Sequence, residues 1–197
     1  MQKSNRDFQM EISVYKTEGI ILKKADLSET DRLLTVYTKN FGKILVRAKG
    51  IGKKESKLKS LIEPFNIYEL MLARSRNIDV LANSYAIKEF NYLRGNLENL
   101  ALAIYFGELA DKLIAAPEPD DKIWALLVRA FLALDQKRGD LAKIKEAFEK
   151  KLLEFLGHPS FSIISKSTER EKLHYLQSLA GEEINSIRFL KSLSLTS

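Results

Sequence analysis

The sequence predicts an α+β protein of two domains: a five-stranded β domain in residues 1–85, followed by an all-α helical bundle in residues 86–197. Three observations predict this fold. The first part contains five short segments rich in β-branched and aromatic residues, with turn residues between them. The second part has apolar residues at helical spacing. The length of 197 residues suits one domain or two compact ones.

The β segments are short and lie close together in the sequence. The five candidate strands are residues 14–23, 33–38, 44–48, 67–73 and 78–82. Gly42 ends the connection between the second and third segments and is free to adopt a positive φ, which is typical of a hairpin. Residues 74–77 form a second connection of this kind. Five strands within about 70 residues predict a small closed or sandwiched β unit.

The helical segments are marked by their caps and breaks. The candidate helices are residues 97–105, 123–134, 140–157, 168–181 and 184–190. A proline-containing break at residues 117–120 precedes the second helix, which is apolar on most faces and is therefore predicted to lie at the centre of the bundle. Asp140 is a candidate N-cap, and Thr168 with Glu171 has the capping-box pattern.

Composition excludes several kinds of functional site. The chain has no cysteine, which excludes disulfides and thiolate metal sites, and its two histidines are too few for a histidine-rich site. We therefore expect no metal and no cofactor. We also expect no catalytic group, because a solvated turn explains Glu29 and Asp31 better than a catalytic pair does. Since no apolar run approaches the ~20 residues of a membrane helix, the sequence predicts a cytoplasmic protein without membrane contact.

The positive charge is concentrated in the first part of the chain. Residues 1–85 carry the whole net charge of +6, whereas basic and acidic residues are equal in number in residues 86–197. A dense group of seven basic residues lies between Lys43 and Lys59. This density indicates a polyanion partner, although a solvated loop without a partner explains the same charge. Phe41, in the predicted turn, is a candidate for stacking on a nucleic-acid base, and packing within the β domain is the alternative.

Several blocks of the sequence resemble one family. They are residues 15–22 (YKTEGIIL), 28–38 (SETDRLLTVYT), 41–44 (FGKI), 48–50 (AKG), 56–58 (SKL), 63–65 (EPF) and 105–111 (YFGELAD). Over residues 14–157 their order is similar to that of the bacterial DNA repair protein RecO family. The resemblance implies an N-terminal OB-fold β-barrel followed by an α-helical domain. It also implies a recombination mediator that is not an enzyme.

The resemblance implies nucleic-acid and protein partners as well. Such mediators bind single- and double-stranded DNA at the nucleoid and anneal complementary strands. They act with RecR to help RecA replace single-stranded-DNA-binding protein. The DNA contacts carried over to this sequence are basic residues of the β domain and of the connection after its third strand. They are Arg32, Lys43, Arg47, Lys49, Lys53, Lys54, Lys57 and Lys59.

The resemblance also places a protein partner on the helical domain. Family members hold the acidic, apolar C-terminal tail of single-stranded-DNA-binding protein in a pocket of that domain. The matching candidates are Lys145, Phe148, Lys151, Leu152 and Phe155. Ordinary bundle packing also explains each of the apolar members taken singly. An adaptor that binds such a tail without contacting DNA is the alternative function. Many family members carry a four-cysteine zinc module, for which this sequence has no cysteines.

Overall fold

A computed structural model of the chain describes residues 13–51, 62–137, 139–158 and 168–195. The five strands are β1 (Val14–Asp26), β2 (Arg32–Thr38), β3 (Gly42–Ala48), β4 (Ile67–Ala73) and β5 (Asp79–Lys88). The helices within the described ranges are α1 (Asn91–Gly95), α2 (Leu97–Leu113), α3 (Asp121–Leu134), α4 (Leu141–Phe155), α5 (Glu169–Ala180) and α6 (Ser186–Ser192). The predicted order, five strands followed by helices, is confirmed.

The strands form one closed barrel in the order β1-β2-β3-β5-β4. β3 and β5 pair in parallel, and the other neighbours are antiparallel. Side chains alternate along each strand, so residues such as Ile21, Leu34 and Leu70 fill the interior. β5 continues beyond the expected domain boundary at residue 85, because its pairing with β4 extends to the pair Ile67–Lys88.

The turn between β2 and β3 depends on a glycine, as the sequence predicts. Gly42 has φ +65°, a conformation that residues with a Cβ adopt at a cost. A Cβ at this position would also collide with the backbone of Glu118, in the loop between α2 and α3. Gly42 therefore permits both the hairpin and the close approach of the helical loop to the barrel.

The outer face of β1 and β2 packs against the helices. Leu22 and Tyr37 belong to the same hydrophobic cluster as the helical core. Phe65 stacks on Phe131 of α3, with ring centroids 5.4 Å apart. The Tyr37 hydroxyl donates to the backbone carbonyl of Asp120 (3.3 Å) and accepts from its N–H (3.1 Å). A continuous apolar core therefore joins the barrel to the helices and positions it against α2 and α3.

Two predicted helix starts are confirmed. The Asp140 side chain accepts from the backbone N–H of Lys143 at 3.1 Å, at the start of α4. Thr168 and Glu171 form a capping box at the start of α5. Within the described part of the chain, none of the helices has the length and apolar character needed to cross a membrane.

Candidate nucleic-acid interface

Two loops of the barrel lie near β3. On one side Ala48 pairs with Arg32 of β2, and on the other Arg47 pairs with Val80 of β5. The β1–β2 loop therefore lies at the Ala48 end of β3, whereas the β4–β5 loop, which precedes Asp79 opposite Val46, lies alongside β3 toward its start. Three segments, residues 27–32, 47–51 and 74–78, make up what we name the barrel rim.

Arg32 holds the β1–β2 loop in place. Its Nε lies 2.8 Å from Oδ1 of Asp26, the residue that pairs with it across the sheet. Its Nη1 donates to the backbone carbonyls of Ser28 (3.2 Å) and Asp31 (3.0 Å). These bonds use most of the N–H donors of the guanidinium. Arg32 therefore stabilises the conformation of the β1–β2 loop.

Arg47 is bonded to a carboxylate of the neighbouring loop. Its Nε and Nη2 donate to Oδ2 of Asp31 at 2.9 and 2.6 Å. The backbone N–H of Gly50, which has φ +67°, donates to Oδ1 of Asp31 at 2.8 Å. The Gly50 N–H and the Arg47 guanidinium hold the pKa of Asp31 below its usual value. The interpretation of Glu29 and Asp31 as a solvated turn is therefore correct for Glu29, which is exposed, and wrong for Asp31, which is buried.

The exposed cations of the rim come from two of its segments. Lys49 follows β3 directly and is exposed. Arg74 and Arg76, in the β4–β5 loop, are also exposed, and neither Lys49 nor Arg76 has an ion pair with another described residue. Sequence reasoning missed the two arginines. Their signal was a pair of cations in a predicted hairpin turn, but only the pairing of β5 with β3 places that turn alongside β3.

The remaining predicted lysines belong to the connection between β3 and β4. Lys53, Lys54, Lys57 and Lys59 lie outside the described residues, and their role stays a prediction. The described residues at the two ends of this connection, Ile51 and Ile62, are both buried in the barrel core. The connection is therefore anchored at both ends on the barrel.

Lys43 does not join the rim. It lies on the outer face of β3, and its Nζ donates to the backbone carbonyl of Asp111 in α2. Burial in this position lowers the pKa of Lys43. The structure therefore places Lys43 at the junction between the barrel and the helices, where it contributes to domain packing.

Phe41 lies beside Tyr15 of β1. Their rings meet edge to face with centroids 4.8 Å apart, and the Arg74 guanidinium lies 5.1 Å from the Tyr15 ring centroid. The Tyr15 hydroxyl donates to Oδ2 of Asp79 at 2.5 Å, which fixes the ring. Phe41 is half-buried. Its role in base stacking stays a prediction, and its contact with Tyr15 is also consistent with the alternative, packing within the β domain.

A groove of 590 Å³ runs between α3 and α4. Its floor includes Phe148, which is 2% exposed and stacks on Phe106 of α2 with ring centroids 4.0 Å apart. The cations along the groove are Lys122, Arg129 and Lys151. We name this the α3–α4 groove. The lining also includes the acid Asp121, and Lys151 Nζ lies 2.8 Å from Oε2 of Glu154. The apolar floor with Lys122 and Arg129 is therefore the part that suits an acidic peptide with apolar side chains.

The predicted peptide-pocket residues divide between two faces of α4. Phe148, Lys151 and Phe155 line the α3–α4 groove. Leu152 is fully buried in the bundle core, and Lys145 lines a separate cavity of 350 Å³ on the other side of the helix. Lys122 and Arg129, which complete the groove, belong to α3 and were not foreseen.

Lys145 is the centre of a buried ionic cluster. Its Nζ lies 3.0 Å from Oε1 of Glu149 and 2.7 Å from Oε2 of Glu169, and the hydroxyl of Tyr105 donates to Glu149 at 2.6 Å. Burial opposes the charged form of Lys145, but the two carboxylates outweigh it and raise the pKa of the lysine. Burial raises the pKa of Glu149. All of these groups have partners, so the cluster contributes to the structure of the bundle.

Metal-binding clusters were also sought. Among residues 13–51, 62–137, 139–158 and 168–195, no group of three or more histidine, aspartate or glutamate side chains could hold a metal ion.

Comparison with known proteins gives matches along most of the chain. The family described as "Recombination protein O N terminal" matches residues 10–90, and "Recombination protein O C terminal" matches residues 94–191. These two segments correspond to the barrel and to the helices. The family matches therefore cover both halves of the fold.

Several individual relatives are each named "DNA repair protein RecO". The protein of Desulforamulus reducens is 35% identical over 74% of this chain and 56% of its own length. That of Pelotomaculum thermopropionicum is 31% identical over 75% of this chain and 57% of its own length. That of Clostridium kluyveri is 30% identical over 86% of this chain and 68% of its own length. The chain thus spans little more than half the length of the first two relatives.

Proposed function

The chain belongs to the recombination protein O (RecO) family of DNA repair proteins, and from this premise we propose that it is a recombination mediator. Its barrel, of the OB-fold type, binds single- and double-stranded DNA at the barrel rim and brings complementary strands together. Its helical domain binds a protein partner. In this role it acts with RecR and promotes the loading of RecA.

The observation that carries the DNA-binding proposal is the exposed charge at the barrel rim. Lys49 is exposed at the end of β3, Arg74 and Arg76 are exposed in the loop alongside it, and the connection that follows Ile51 contains four more lysines. Strand annealing requires two phosphate backbones to approach each other, and their repulsion must be screened by a shared cationic surface. A rim of this kind provides such a surface without reading base sequence.

The protein partner proposed for the helical domain is the C-terminal tail of single-stranded-DNA-binding protein. The α3–α4 groove supports this proposal, because Lys122, Arg129 and Lys151 surround an apolar floor. Acidic residues of the tail pair with these cations, and its apolar side chains cover Phe148 and Phe155. The same groove also favours the second candidate, an adaptor that binds the tail without contacting DNA.

A salt titration of DNA binding tests the first proposal. The full chain is titrated against fluorescent single- and double-stranded oligonucleotides, and anisotropy gives the affinity at each salt concentration. Lys49→Glu with Arg76→Glu should weaken binding to all sequences. For duplex DNA, the negative slope of log affinity against log salt should become shallower by about 1.8, because each lost phosphate contact reduces its magnitude by ~0.9.

The matched control is Lys137→Glu with Lys150→Glu, which makes the same change in net charge at two exposed positions of the helical domain. An equal loss of affinity in both double variants would contradict the rim as the DNA site. Lys53→Glu with Lys54→Glu extends the same titration to the connection. Annealing of bare complementary oligonucleotides then separates a mediator, which accelerates it, from an adaptor, which does not.

A further inference from the structure

Asp31, at the end of the β1–β2 loop, fills an anion site made by residues 47–50. The site consists of the Arg47 guanidinium, bonded to Oδ2 at 2.9 and 2.6 Å, and the Gly50 N–H, bonded to Oδ1 at 2.8 Å. The Thr30 hydroxyl adds a weaker bond at 3.3 Å. Proteins bind phosphate oxygens with donors of this kind: two N–H groups of a guanidinium, and the backbone N–H of a glycine in the left-handed conformation.

The site opens to solvent on the side of Arg47. The Arg47 side chain is 44% exposed, whereas that of Asp31 is 11% exposed. Lys49, exposed and adjacent to Gly50, extends the cationic surface in the direction of the β3–β4 connection. A phosphodiester that lies along the rim therefore reaches Arg47 directly, but it finds the guanidinium already neutralised by Asp31.

We propose that Asp31 is an internal competitor that occupies a phosphate site of the rim and is displaced when DNA binds. This inference rests on the proposed DNA-binding function and adds to it a specific ligand site, made by Arg47 and the Gly50 N–H, for one backbone phosphate. The carboxylate leaves the site by rotation of its side chain. The backbone of Asp31 stays fixed, because its N–H donates to Oγ of Ser28 at 3.1 Å and its carbonyl accepts from Arg32.

The competition lowers the affinity of the rim for DNA in the free protein. Since Asp31 is held ionised well below neutral pH, its negative charge is present under all physiological conditions. Its neutral isostere should therefore bind DNA more tightly. A purely structural role predicts the opposite, because loss of the carboxylate would loosen the loop that forms the rim.

The test compares Asp31→Asn with Glu29→Gln in the full chain. Both variants remove one negative charge from the same loop, but Glu29 is exposed and has no ion pair with a described residue. An asparagine at position 31 still accepts from the Gly50 N–H and no longer neutralises Arg47. Asp31→Asn should bind duplex DNA at least about tenfold more tightly than Glu29→Gln, as expected for one charge-assisted contact, with a salt slope steeper by about 0.9.

The same comparison in a protein that also carries Arg47→Gln tests whether the increase in DNA affinity depends on Arg47. With Arg47→Gln in place, Asp31→Asn should no longer exceed Glu29→Gln. If Asp31→Asn fails to fold by circular dichroism, Asp31→Ser serves as the neutral variant, since a hydroxyl also accepts from the Gly50 N–H. Equal or weaker binding of the folded neutral variant would overturn the competitor role while leaving DNA binding intact. If the wild-type protein does not bind DNA even at low salt, that result would instead overturn the proposed function, and this inference with it.

Discussion

The barrel rim and the α3–α4 groove are built from opposite ingredients. The rim is a set of charged side chains on turns, where Asp31 and Arg47 bond to each other and Lys49 stays exposed. The groove is a gap between two packed helices, with the buried ring of Phe148 as its floor. Charges act at a distance of several ångströms through water, so the rim suits a phosphate chain of any sequence. The groove depends on shape and suits particular apolar side chains.

Because of this difference, changes at the rim are expected to affect DNA binding, and changes in the groove are expected to affect the stability of the fold. The exposed cations of the rim, Lys49, Arg74 and Arg76, lie at the surface, and a change in their charges alters few buried contacts. The groove shares Phe148 with the core that joins α2 to α4, and a change there affects the folded state directly. Variants of the helical domain are therefore expected to lower stability while leaving the DNA affinity of the folded protein unchanged.

The largest effect is expected from Phe148→Ala. The ring is buried and stacks on Phe106, so its removal leaves a cavity and should lower the free energy of unfolding by about 3–5 kcal/mol. Urea denaturation measures this loss. Phe155→Ala is the matched control, because Phe155 lines the same groove but is half-buried, and about 1 kcal/mol is expected from its smaller buried area. Equal losses in the two variants would mean that the floor and the edge of the groove are not distinct.

The next effect is expected in the buried ionic cluster. Lys145→Met leaves the Glu149 carboxylate without its cation in a buried site, and such a loss should cost about 3 kcal/mol. Adding Glu149→Gln should recover part of the stability, because no uncompensated charge then remains. Thermal or urea unfolding measures both variants. If Lys145→Met unfolds at the same denaturant concentration as the wild type, the cluster contributes nothing to the bundle.

The smallest effect concerns the junction of α2 and α6, and it depends on pH. Oε1 and Oε2 of Glu108 accept from the backbone N–H groups of Asn185 (2.8 Å) and Ser186 (2.7 Å), at the start of α6. Burial alone would raise the pKa of Glu108, but these bonds and Lys112 outweigh it and lower the pKa. A carboxyl with a lowered pKa stabilises the fold above its unfolded pKa of about 4.3, and this stability is lost as the pH falls through the folded pKa.

Glu108→Gln tests that dependence. At pH 7 the variant should be less stable than the wild type by about 1.5–3 kcal/mol, the usual contribution of hydrogen bonds to a charged group. The difference should shrink as the pH falls below 4, because the wild-type carboxyl then becomes protonated. Urea unfolding at several pH values measures it, and a difference that is constant down to pH 3 would contradict the role of the ionised carboxylate.

The two regions also differ in how well the sequence predicted them. At the rim, the predicted residues Arg32 and Arg47 lie where expected, but both are bonded to acids, and Arg74 and Arg76 were missed. In the groove, Phe148, Lys151 and Phe155 lie together, whereas Lys145 and Leu152 do not. Helix geometry explains the second outcome, since 100° per residue places 145 and 152 about 40–60° to one side of Phe148, and 151 and 155 to the other. The sequence does not say which side faces a groove and which faces the core.

The sequence by itself determined the five strands, the order of strands and helices, the caps at Asp140 and Thr168, and the concentration of positive charge in the first part. These features depend on periodicity and on hydrogen bonds between residues close in the chain, which the sequence displays directly. The tertiary structure decided which charges are exposed and which are paired. Lys43 bonds to a carbonyl 68 positions away, and parallel pairing of β3 with β5 brings Arg76 to the rim. A charged group takes the partner that folding brings within 3 Å, and that partner is set by the register of the barrel and by burial at the domain junction.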